Sequence, residues 1–106
     1  MATANQIWPI GTDCKVVISG LKDDTGAYVN DGTLTGNLKG LNDASVTNGS
    51  GISFSYVTGS NGQYEAVLPY NINIVANMDY TFVIVAVKGP KQATLKMTRT
   101  AQYIEI

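Results

Sequence analysis

Gly59-Ser60-Asn61-Gly62-Gln63-Tyr64-Glu65-Ala66-Val67-Leu68-Pro69, read GSNGQYEAVLP, opens on a turn and closes on a proline. Ser60-Asn61-Gly62 contains the Asn-Gly pair that favours a tight hairpin connection. Behind it Tyr64, Ala66 and Leu68 point one way while Gln63 and Glu65 point the other, the period of an extended strand. Pro69 has no N–H to give to a ladder, so the strand stops there. Turn, strand and stop predict a β-protein.

The same grammar continues on both sides. Cys14 to Ser19 is a β-branched run with Cys14, Val16 and Ile18 on one face. Lys22 to Gly26 and Asn30-Asp31-Gly32 are turns, where short polar side chains bond their own backbone. Thr33 to Lys39 alternates with Leu34 and Leu38 inward, and Gly36 on that inward side predicts a bulge or a close approach. After the polar loop 40–51, Ile52 to Tyr56 reads as one alternating strand. Past Pro69, the segment 70–79 is expected to carry the chain from one sheet to the other. Tyr80 to Val87 has the continuous apolar character of a central strand buried on both faces. Gly89-Pro90-Lys91 then turns the chain into a last alternating run, Ala93 to Thr98.

No window carries the apolar spacing of a long amphipathic helix. About seven short strands at regular spacing predict an all-β fold, an Ig-like β-sandwich of antiparallel strands, with a small β-barrel as the alternative. Residues 1–11 read as an N-terminal arm and 12–106 as the single Ig-like domain. Trp8 precedes the first expected strand and only one cysteine is present, so the paired-cysteine and tryptophan hallmark of Ig domains is missing.

A chain of 106 residues is one domain, long enough for a core without disulfides or metals. Charged residues make up 14%, against about 25% in an average soluble domain, so Ser, Thr, Asn and Gly must cover the surface. A net charge of −1 offers nothing to nucleic acid or an anionic membrane, and neither is expected as a partner. Cys14 as the sole cysteine excludes an internal disulfide and fits assembly in a reducing compartment. No secretory signal or membrane-length apolar run is read in the sequence.

The absence of histidine removes the commonest activation of serine or cysteine nucleophiles and most transition-metal ligation. Cys14, on the apolar face of its strand, reads as a core thiol. The carboxylates are spread over turns with no facing pair of the kind a glycosidase needs. Asp23, Asp24 and Asp31 offer hard oxygens on adjacent turns, but their spacing matches no calcium loop. Asn48-Gly49-Ser50-Gly51 neither precedes Lys-Ser/Thr nor opens a helix, so it is no phosphate cradle. No catalytic, cofactor-binding or metal residue is expected. The six tyrosines leave a sugar-stacking surface as an alternative, although most fall at inward positions or strand ends. Protein contact is expected through two apolar groups, Ile7, Trp8, Pro9 and Ile10 near one end and Tyr103, Ile104 and Ile106 near the other. For Trp8 and its neighbours, burial in the chain's own core is the competing expectation.

Leu21 to Gly26, Gly32 to Leu38, Gly59 to Pro69 with its Gly-x-Tyr and Leu-Pro, and Tyr80-Thr81 together resemble small Ig-like β-sandwich proteins encoded in structural gene clusters of tailed phages and prophages. The likeness runs from about residue 11 onward, and related Gly-x-Tyr, Leu-Pro and Tyr-Thr patterns occur in bacterial adhesin modules. In that pattern the tyrosine packs beside the turn that starts its strand. The resemblance implies a non-enzymatic virion protein made in the host cytoplasm, decorating or cementing the capsid or serving the neck or tail. Its implied partners are major capsid, portal, neck or tail proteins and further copies of itself. A carbohydrate- or host-surface-binding Ig-like module is the alternative function.

Overall fold

The computed structural model describes residues 7–104. Among them lie eight strands: β1 (Ile7–Pro9), β2 (Cys14–Ile18), β3 (Thr33–Lys39), β4 (Ile52–Ser53), β5 (Ser55–Tyr56), β6 (Tyr64–Leu68), β7 (Asp79–Lys88) and β8 (Lys91–Gln102). They form a five-stranded sheet, β1-β8-β7-β3-β4, and a three-stranded sheet, β2-β6-β5. All pairings are antiparallel except β1 with β8, which runs parallel with Trp8 opposite Ala101. The fold is all-β.

Alternation builds the core. Val16, Ile18, Tyr64, Ala66 and Leu68 come from the smaller sheet, and Leu34, Leu38, Phe82 and Ile84 from the larger, all in one buried cluster. Trp8 sits in that cluster with no exposed surface. Its indole N–H donates to the Tyr80 carbonyl at 2.9 Å. Its ring meets Phe82 edge-on at 5.9 Å, and the Arg99 guanidinium lies 4.6 Å above it. The close approach expected at Gly36 is made by Phe82, whose ring occupies the space a β-carbon would need. Phe82 stacks against Phe54 at 6.0 Å on its other flank.

Four expectations need correction. The first strand begins at Ile7 rather than Cys14, so Ile7–Pro9 belongs to the larger sheet and not to a free arm ending at residue 11. Ile52 to Tyr56 is two strands, because the chain leaves the larger sheet and enters the smaller one at Phe54. The outer face of β7 is only half-buried, since no described element covers it. The 57–63 connection is longer than a two-residue Asn-Gly turn: Val57 N–H donates to the Gln63 carbonyl, and Gly62 has positive φ while Asn61 does not. A turn of that tight type needs both residues there.

Strand directions define two ends. At the lower end β3, β6 and β8 finish and the loops 40–51 and 69–78 gather. At the upper end lie the loop 19–32, the β5–β6 connection and the β7–β8 hairpin. The segment 69–78 crosses between the sheets, pinned by buried Ile72 and Ile74.

Candidate functional site

The upper end is tied together by hydrogen bonds. The Tyr64 side chain is 1% exposed. Its hydroxyl donates to the Val29 carbonyl at 2.7 Å and accepts from Gly32 N–H at 3.0 Å. Tyr64 therefore holds the 29–32 turn, not the turn that starts its own strand. That second duty falls to Tyr56, whose hydroxyl donates to the Ser60 carbonyl. Asn30 adds a bond from Gly62 N–H to its side-chain oxygen at 2.8 Å.

A cleft of about 350 Å³ opens at this end between the 21–32 loop and the β7–β8 hairpin. Leu21, Val29, Ala86 and Ala93 supply its apolar wall, and the rim is charged. The three carboxylates weighed as calcium ligands each have a separate partner here. The Asp23 carboxylate accepts from the Thr25 hydroxyl at 2.6 Å, Thr25 N–H at 2.9 Å and Ala27 N–H at 3.2 Å. The Thr25 hydroxyl, followed by its N–H, holds the Asp23 carboxyl below its usual range. Asp24 pairs with Lys91, which raises the lysine's pKa, and Asp31 lies 3.0 Å from Lys88. Among the described residues no group of three or more Cys, Asp or Glu side chains is placed to hold a metal ion.

The remaining groups singled out in the sequence serve the fold. Burial pushes the Cys14 thiol up in pKa, more than nearby Arg99 lowers it, so the thiolate a nucleophile needs is disfavoured. The Asn48–Gly51 segment folds back on the sheet. Gly51 N–H donates to the Asn37 side chain at 2.8 Å, and the Asn48 amide reaches the Asn71 carbonyl at 3.1 Å.

The lower end is different in kind. Among the described residues, six of the ten exposed large apolar side chains lie there: Leu41, Tyr70, Val75, Met78, Tyr103 and Ile104. Leu41 is 74% exposed, so this is true display rather than partial cover. Tyr80 is the hub beneath them. Its hydroxyl accepts from Val75 N–H at 2.9 Å, its ring lies beside Gly40, and its carbonyl receives the Trp8 indole. Met78 joins the end of β8 through a 2.8 Å bond from Ala101 N–H to its carbonyl. All four non-glycine residues with positive φ among those described, Asn42, Asp43, Asn48 and Asn77, are in the lower-end loops.

Of the side chains expected at an interface, Ile7, Trp8 and Pro9 are buried in the chain's own core, and Ile10 is half-buried. Tyr103 and Ile104 are exposed at the lower end, and Ile106 lies outside the described residues. Leu41, Tyr70, Val75 and Met78 were missed because single apolar residues in polar loops carry no periodic signal. The exposed tyrosines are divided, Tyr28 at the upper end and Tyr70 and Tyr103 at the lower, so they form no continuous stacking row. No protein-family model, curated protein or solved structure matches the chain.

Proposed function

We propose that the chain is an Ig-type β-sandwich serving as a non-enzymatic structural protein of a tailed-phage virion, on the capsid or in the neck or tail, where it holds other virion proteins. For the sandwich, the support is connectivity. The sets β2-β6-β5 and β3-β7-β8, with their sequence order, correspond to the B-E-D and C-F-G strands of Ig domains. Tyr80, near the start of β7 with its hydroxyl bonded to the backbone five residues upstream, has the placement of the tyrosine corner. Trp8 fills the centre from β1, where Ig domains place a tryptophan on the third strand against a disulfide.

For the role, the carrying observation is the display of large apolar side chains at the lower end, above loops held in left-handed conformations. Exposed apolar surface gathered in one region marks a place where another protein binds. The phage assignment itself rests on the sequence resemblance. Mass spectrometry of particles purified from cells that make the chain tests it. The chain is expected in the particles at fixed stoichiometry, and Leu41→Asp with Tyr70→Asp is expected to remove it while leaving the soluble domain folded. Particles without the wild-type chain would overturn the reading.

A further inference from the structure

β8 is twelve residues long, yet β1 covers only Thr100 to Gln102 of its outer edge. From Lys91 to Arg99 no described strand pairs with that edge, so among the described residues its outward-facing backbone donors and acceptors have no strand partner. On the inner side of this stretch Leu95 and Met97 are only half-buried, packed against the core but not closed over. The edge also has one sign of charge. β8 carries Lys91, Lys96 and Arg99 and no carboxylate. Lys91 is paired with Asp24 and Arg99 lies over Trp8, while Lys96 makes no ion pair among the described residues.

At the other end of the same strand the chain runs on as Tyr103-Ile104-Glu105-Ile106. Tyr103 is 65% exposed and Ile104 50%. An extended strand of this sequence puts Ile104 and Ile106 on one side and Tyr103 and Glu105 on the other. We infer that residues 103–106 of one copy add as a strand to the open β8 edge of a second copy, with Glu105 beside Lys96 and the two isoleucines against Leu95 and Met97. The inference rests on the protein-contact reading above.

Three arguments select this occupant. The chain's own residues 103–106 cannot reach: Gln102 is about 20 Å from Lys96 along the strand, four residues span at most about 14 Å, and β1 stands between. Pairing β8 with β8 of another copy would set cations among cations, which is destabilising across strands. A strand bearing a carboxylate turns the same lysine from a repulsive guard into an attraction. The tail and the edge it meets are different surfaces, so the contact closes either by reciprocal exchange between two copies or by head-to-tail linkage into rings or filaments.

Sedimentation velocity over a concentration series tests this on the isolated chain, so its outcome is separate from incorporation into particles. The wild-type sedimentation coefficient is expected to rise with concentration, and that of Ile104→Asp to stay at the monomer value. Lys96→Glu and Glu105→Lys are each expected to lose association, and a one-to-one mixture of the two to regain it. In that mixture every edge meets a tail of opposite charge. A wild-type chain that stays monomeric, association that survives Ile104→Asp, or a mixture that does not recover would each overturn the proposal. Slow amide exchange at Lys96 and Thr98, whose N–H groups face away from β7, in dilute monomer would overturn it too, because the edge would then be covered within its own chain.

Discussion

The two ends of the molecule handle exposed backbone in opposite ways. At the upper end, positive φ is taken by glycine (Gly20, Gly26, Gly59, Gly62, Gly89), and the turns are tied by Tyr64, Asn30 and Asp23. At the lower end it falls largely on asparagine and aspartate, and apolar side chains project from the loops. Glycine adopts that conformation without strain, whereas residues with a side chain do so at some cost. Polar satisfaction has shaped one end, and display of large side chains the other.

The comparison breaks most sharply at Trp8, which anchors the lower end from inside. Trp8→Ala removes a fully buried ring and the indole bond to the Tyr80 carbonyl, with an expected cost of about 3–5 kcal/mol in chemical denaturation. Next is Tyr64→Phe, which leaves Gly32 N–H and the Val29 carbonyl without their partner. About 1–3 kcal/mol of destabilisation is expected in the same assay. Tyr80→Phe loses one partly buried bond and should cost about 1 kcal/mol. If it cost as much as Tyr64→Phe, the contrast between a tied end and a displayed end would fail. Leu41→Ser and Tyr70→Ser should change stability by less than about 0.5 kcal/mol while weakening protein contact.

Two chemical tests complete the series. Asp23 is held below its usual pKa, so its contribution to stability is present above the ordinary carboxylate range. That contribution disappears as pH falls through the lowered value. Melting curves of Asp23→Asn across the acid range should therefore fall less steeply than those of the wild type. Cys14, buried and with its thiol pushed up, should resist iodoacetamide in the folded protein and react once denaturant is added.

Strands whose side chains alternate were legible at once. Cys14–Ile18, Thr33–Lys39 and Tyr64–Leu68 fall where alternation placed them, because each buries one face and exposes the other. β1 was hidden by its brevity and by Pro9, which suits an edge but carries no strand signature. The switch at Phe54 was invisible because alternation continues through it while the hydrogen-bonding partner changes. Whether Trp8 faced its own core or a neighbour depended on Tyr80, 72 residues away, and local pattern carries nothing about such a partner. Tyr64 was read as inward, but its hydroxyl's duty at Val29 and Gly32 is a tertiary fact. At the candidate site only Tyr103 and Ile104 were marked in advance, since loop apolar residues gain meaning only from the loops beside them.

The parallel register of β1 and β8 also fixes how the molecule responds to traction. A force drawing Ile7 and Gln102 apart slides the two strands along each other and strains their shared bonds together, where a hairpin would peel open one link at a time. Tethered at these two points, the chain should hold its length under load and then yield in a single step.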